Sequence, residues 1–191
     1  MSDHGTHTIE REDAVLVLIE VQDRLDAAMP RRAEVVASAR FLLRTAELLG
    51  IPRIATRQYP RGLGPVVPEL ADLLAEVAID KLAFDCTAEK GFTDALEHTR
   101  KRQVVVAGME THICVAQTTL SLLDRGYRVH VVADAVCSRR DSDNDIALER
   151  MRAAGAEVTT AEAVLYEALR VAGTADFRAA LELVKERGTG S

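Results

Sequence analysis

Val104-Val105-Val106-Ala107-Gly108-Met109-Glu110-Thr111-His112-Ile113-Cys114-Val115 is the stretch on which the fold is read. Four apolar residues after the charged Lys101-Arg102 have the character of a buried parallel strand, closed by Gly108. From Ile113 onward, Ile113, Ala116, Leu120 and Leu123 recur at helical spacing until Gly126 stops the pattern. Cys114 therefore falls in the first turn of a helix at the carboxyl end of a strand, where open α/β sheets bind ligands. A helix amino terminus also favours thiolate over thiol, and thiolate is the nucleophile. The competing reading is a buried cysteine acting as a small hydrophobe.

Outward from this segment, strands and helices alternate. Strand patterns cover 14–19, 51–56, 77–79, 103–107, 127–133 and 156–159. Helical patterns cover 31–49, 69–75, 91–100, the Cys114 segment and 143–154, and two closing helices cover 161–171 and 175–187. In the first of these, Val35, Ala39, Leu42, Ala46 and Leu49 form a buried face ended by Gly50. Such alternation predicts an α/β fold, a parallel sheet with helices on both faces, in one domain over 9–187 with tails at 1–8 and 188–191.

Two residues at other strand exits bear on Cys114. The apolar run Val15–Ile19 ends in Glu20, and a carboxylate buried there needs a partner. Lys81 follows Val77-Ala78-Ile79-Asp80 and supplies a candidate cation. Alone, each reads as an ordinary surface acid or solvated lysine. With Cys114 they make an activated-thiol site, in which the acid takes the thiol proton and the lysine balances charge.

The chain resembles the isochorismatase-like cysteine hydrolases, and within them the isochorismatase-domain proteins of unassigned substrate. The resemblance runs from about Ala14 to Glu162. It is strongest in Gly108–Val115, continuing through Gln117-Thr118, Leu122–Tyr127 and Val129–Ala135, and is also seen in Gln58–Pro65 and Val67–Leu70. It implies a three-layer Rossmann-like fold, a six-stranded parallel sheet in the order 3-2-1-4-5-6. It implies catalysis by Glu20, Lys81 and Cys114, with Glu20 standing where the family carries aspartate. The extra methylene moves the carboxylate by about 1.5 Å. A non-proline cis peptide between Met109 and Glu110 is also implied, with the Glu110 and Cys114 amides forming an oxyanion hole.

The expected reaction is hydrolysis of a small amide or ureido-type C–N bond through a thioester. Isochorismate ether cleavage in relatives uses the acid and needs no cysteine. The alternative set by Glu20 is a catalytically weak member serving as a ligand-binding or assembly subunit. Gln22, Gln58, Tyr59, Leu63, Phe84 and His112 are the candidate pocket residues. The resemblance further implies a homo-oligomer, dimer or higher, for which Ala161–Leu165, Leu169 and Val171 offer an apolar surface.

Composition agrees. A length of 191 residues with 48% hydrophobic content suits one α/β domain. No apolar run approaches the ~20 residues of a membrane span, and Met1–Thr8 has no signal-peptide core, so a cytoplasmic location is expected. A net charge of −6 with interspersed signs argues against nucleic acid as a partner. Even Arg139-Arg140 is followed at once by Asp141 and Asp143. No metal or cofactor is expected: Thr56–Pro60 lacks the acid and imidazole of the metal-binding amidases, and the histidines form no ligand spacing. Pro65 and Pro68 behind Gly62-Leu63-Gly64 rule out a dinucleotide loop. Three cysteines suggest no disulfide framework, although Cys137, at a strand exit like Cys114, is a candidate redox partner and otherwise a rim residue, with Cys86 in a loop.

Overall fold

Side-chain alternation along two central strands sets the architecture. In β1 (Ala14–Ile19), Ala14, Leu16 and Leu18 pack on one face while Val15, Val17 and Ile19 pack on the other. In β4 (Gln103–Met109), Val105, Ala107 and Met109 join the first face, and Val104 and Val106 the second. Strands apolar on both faces belong inside a sheet covered on each side by helices. The computed structural model, which describes residues 7–74 and 78–188, places them there. The remaining strands are β2 (Arg53–Gln58), β3 (Ala78–Lys81), β5 (Arg128–Cys137) and β6 (Glu157–Thr159). The sheet runs β3-β2-β1-β4-β5-β6 with parallel pairing throughout.

The helices are α1 (Asp23–Asp26), α2 (Arg32–Leu49), α3 (Pro60–Leu63), α4 (Pro68–Leu74), α5 (Lys90–Thr99), α6 (Ala116–Asp124), α7 (Asp141–Ala153), α8 (Ala161–Leu169) and α9 (Ala175–Gly188). Val35 and Leu42 of α2, Leu70 of α4, Leu165 of α8 and Leu183 of α9 cover the first face. Phe92 and Leu96 of α5, Leu122 of α6 and Met151 of α7 cover the second. The fold is the three-layer α/β arrangement that the alternation predicts.

Departures from the predicted boundaries occur where polar residues continue a strand. β3 runs on through Asp80 and Lys81, which pair with Arg57 and Gln58 of β2, so Lys81 is the last strand residue rather than a loop residue. Ala75 and Val77, assigned by sequence to a helix and a strand, lie outside the described residues. β5 continues to Cys137 because its register against β4 shifts between Val106 and Gly108. Its internal Asp134 is held by Arg187 and by the Ala161 amide.

Thr8, the last residue of the expected tail, is tied to the domain. The Gln103 side chain donates to the Thr8 carbonyl at 2.9 Å, and Ile9 is fully buried. The expected self-association surface is also corrected: Ala161, Val164 and Leu165 are core residues, turned inward because α8 packs on α2 and β5, and of that set Val171 is exposed.

One contact fixes how closely β4 approaches β1. Gly108 adopts φ 125°, and a Cβ at this position would sit 1.9 Å from the Ile19 carbonyl oxygen. Gly108→Ala is expected to cost upwards of about 3 kcal/mol, since both the backbone conformation and the strand spacing oppose it. Urea unfolding checks this, and a variant within about 1 kcal/mol of wild type would contradict the close approach.

Candidate active site

The expected residues converge from the carboxyl ends of three strands, Glu20 after β1, Cys114 after the neighbouring β4 and Lys81 at the end of β3, with β2 lying between β3 and β1. Glu20 leaves β1 in the left-handed region at φ 55°, its amide donating to the Thr56 carbonyl at 3.1 Å. A non-glycine residue there costs of order 1 kcal/mol or more, and such conformations concentrate at functional sites. Lys81 forms an ion pair with the Glu20 carboxylate. Its Nζ also lies 2.6 Å from Gln58 Oε1, 2.7 Å from the Ala83 carbonyl and 3.1 Å from the Phe84 carbonyl, donating to each. Glu20, Lys81 and Cys114 are 1%, 2% and 4% exposed, so the cluster is held out of bulk water.

The Cys114 segment opens differently from a regular helix. The Met109–Glu110 peptide is cis, and Thr111–Val115 form a π-helical turn that leads into α6. The amides of Ile113 and Val115 both donate to the Glu110 carbonyl, at 3.1 and 3.3 Å. Wide turns of this kind recur at functional sites. The stretch behind β5 tethers the turn. Thr111 Oγ1 donates to Asn144 Oδ1 at 2.8 Å, and Arg139 Nε donates to Glu110 Oε1 at 2.8 Å. His112 Nδ1 lies 2.8 Å from Ser138 Oγ, so its ring is committed to the turn's support and away from a pair with Cys114.

The electrostatics correct one expectation. Burial pushes the Cys114 thiol well above its ordinary range, the Glu20 charge adds to this, and Lys81 offsets only part. The resting group is a thiol, because desolvation outweighs the helix-terminus effect. Burial raises Glu20 as well, against the lowering influence of Lys81 and of its hydrogen bond with Cys114. The carboxylate is therefore a stronger base than a solvated glutamate.

All three cysteines are free and buried. Cys137, pushed up to about 12 by burial, packs on the opposite face of the sheet from Cys114, so it is neither that residue's redox partner nor a rim residue. Cys86, pushed up to about 11 by burial, shares the face of Cys114 in a short 3₁₀ turn, Cys86–Ala88. Its amide donates at 3.0 Å to Thr118 Oγ1, one helical turn beyond Cys114.

The candidate pocket residues divide. Gln22 is fully buried, its Nε2 donating to the Gly64 and Gln58 carbonyls and its Oε1 accepting from the Gln58 amide, so it braces the 58–64 loop rather than lining a pocket. Gln58 spends its side chain on Lys81 and on the Leu82 carbonyl. Tyr59 and Phe84 are half exposed, so neither is core, and Leu82 beside them is 72% exposed. Tyr59, Pro60, Arg61, Asp80, Lys81, Leu82 and Glu89 line a cleft of about 510 Å³, while Leu63 is partly buried in α3 outside this lining. Sequence reasoning missed Ser138, Arg139 and Asn144; their signal was a polar cluster placed directly after an apolar strand. Among the described residues, no group of three or more His, Cys, Asp or Glu side chains is placed to hold a metal ion. Within the same residues no helix is long and apolar enough to cross a membrane.

Residues 14–163 match the isochorismatase domain model. The chain belongs to the isochorismatase family. Isochorismatase domain-containing protein 2 of Xenopus laevis is 38% identical over 174 residues, spanning 91% of this chain and 84% of that protein. Among solved structures, the MAR1 ribonuclease of Caenorhabditis elegans superposes with a TM-score of 0.87 at 35% identity, covering 93% of this chain and 92% of that one. The YcaC gene product of Escherichia coli, an octameric hydrolase of unknown specificity, gives 0.87 at 25% identity, covering 97% and 95%. The isochorismatase domain thus accounts for the sheet and for all three strand exits that carry Glu20, Lys81 and Cys114.

The buried pair makes a stability prediction for this isochorismatase domain. Glu20 has a folded-state pKa above its unfolded value, so its contribution is present at low pH and lost as pH rises through the folded value. Lys81→Met removes the lowering influence and enlarges that loss. At pH 8 the variant should be about 3–5 kcal/mol less stable than wild type, as for a broken buried ion pair. The deficit should shrink as the pH falls towards 5 and Glu20 takes up a proton. Urea unfolding across this range checks the sign; a deficit that grows on acidification would contradict it.

Proposed function

We propose that this protein is a cysteine hydrolase that cleaves a small amide or ureido-type C–N bond. The observation that carries the reading is one buried Glu20 carboxylate in contact with both the Lys81 ammonium and the Cys114 thiol. As Cys114 Sγ attacks the substrate carbonyl carbon, its proton passes to Glu20. Lys81 balances the charge while the carbonyl oxygen becomes an oxyanion held by the Glu110 and Cys114 amides. Collapse breaks the C–N bond, Glu20 returns the proton to the leaving nitrogen, and a thioester remains. Glu20 then takes a proton from water, whose oxygen attacks the thioester. The acid product leaves and the thiol is restored.

Glu20 in place of aspartate is compatible with this chemistry. The left-handed backbone at residue 20 supports a repositioned carboxylate, since the longer side chain still meets both partners. A raised proton affinity at Glu20 favours transfer from a thiol whose own proton is tightly held. The name of the C. elegans protein raises a nucleic-acid substrate. The net charge of −6 and the burial of all three groups support a small neutral molecule instead. The octameric state of YcaC supports homo-oligomerisation, dimer or higher.

Iodoacetamide at near-neutral pH should modify Cys114 faster than Cys86 or Cys137, as mapped by mass spectrometry. Cys114→Ala should abolish ammonia release from a panel of small amides, and Glu20→Gln should lower it about 10²–10⁴-fold. Unchanged turnover in Cys114→Ala, or loss on chelation, would overturn the mechanism. Glu20→Asp should lose activity if the site is built around glutamate; a large gain would instead identify a catalytically weak member. Light scattering at micromolar concentration should give a mass of at least twice 20.8 kDa.

A further inference from the structure

We infer that Arg139 is a positioning residue, pinning the Glu110 carboxylate beside the site and balancing its charge against Glu20. The inference rests on the reading of Glu20 as the base of a cysteine hydrolase. Arg139 follows β5 and is itself 58% exposed in its side chain, whereas the Glu110 side chain it grips is 9% exposed. The grip is a charge-assisted bond of 2.8 Å from Nε. Glu110 is also the residue on which the nucleophile turn closes, because its carbonyl accepts the amides of Ile113 and Val115.

Three consecutive residues of this turn are held from one neighbouring segment. Glu110 is held by Arg139, Thr111 by Asn144 and His112 by Ser138. The last two contacts join neutral groups or an imidazole to a hydroxyl. Arg139 is the member that also carries charge. The groups acting on Glu20 are Lys81 from β3, Cys114 from the π turn and Glu110 from the end of β4, while Cys86 from the 3₁₀ turn lies close enough to feel its charge. Among them Glu110 is a second carboxylate, placed just beyond the end of β4, whose Gly108 pairs with Ile19 next to Glu20. Its charge adds to the rise in Glu20's proton affinity, as the smallest of the influences after burial. With Arg139 in place that charge is opposed; without it, a nearly buried anion stands beside the base. Replacing the arginine therefore raises the proton affinity of Glu20 and narrows the pH range in which it serves as a base.

The test uses the full chain and variants Arg139→Gln, Arg139→Lys and Ser138→Ala. Carbon-13 NMR titration of the Glu20 carboxyl, assigned with Glu20→Gln, gives its midpoint without reference to turnover. Arg139→Gln should raise that midpoint by roughly half a pH unit or more. The acid limb of kcat/KM should move with it, a roughly threefold loss on that limb. Arg139→Lys should stay near wild type, and Ser138→Ala, which loosens the same turn without removing charge, should leave the midpoint in place. An unmoved midpoint in Arg139→Gln, or an equal rise in Ser138→Ala, overturns the inference. An inactive wild-type Cys114 with a shifted midpoint would count against the hydrolase reading alone.

Discussion

The ion pair between Lys81 and Glu20 is the constraint on which the working end of this molecule depends. Each ion removed from water costs several kcal/mol, and their mutual attraction offsets this only if the remaining hydrogen-bonding capacity is met. Local geometry supplies it on the lysine side. β2 extends to Gln58 so that its side chain reaches Lys81, and the chain after β3 turns back to present the Ala83 and Phe84 carbonyls. Glu20 turns into the left-handed region at the end of β1. Gln22 then ties the 58–64 loop to the same strand exit.

Proton placement follows from the same burial. Solvation, which would favour both a carboxylate and a thiolate, is withheld from Glu20 and Cys114 alike. In the proposed reaction, transfer to Glu20 becomes favourable when a carbonyl is presented to the sulfur. The π turn that carries the thiol owes its shape to contacts outside itself, through Ser138, Arg139 and Asn144. The geometry of the cluster is thus supported by two separate segments, one around Lys81 and one behind β5.

Much of this was legible in the sequence. Apolar runs as clear as Val15–Ile19 and Val104–Ala107 located the central strands, and the parallel order followed from alternation and family resemblance. Strand ends were harder, because β3 finishes on Asp80-Lys81 and β5 contains Asp134, charges that hydropathy assigns to loops although their partners lie across the fold. The residues that meet at the strand exits, Glu20, Lys81 and Cys114, could be named, but the effect of burial on the Cys114 thiol could not. A helix terminus is visible in a sequence, whereas desolvation is a property of the assembled site. Gln22 and Cys137 were misplaced for a related reason: proximity in the chain to a strand exit does not say which face the side chain takes.

The position of Lys81 has one more consequence. β3 is an edge strand of the sheet, four residues long and paired on one side with β2, yet it carries the cation that pairs with Glu20. Edge elements with few ladder bonds open at lower free energy than the centre of a sheet. Heat will therefore detach the lysine before it disturbs Glu20 or Cys114, which leave central strands. Loss of the buried ion pair and melting are then separate events in this molecule, the first governed by the fraying of a single margin.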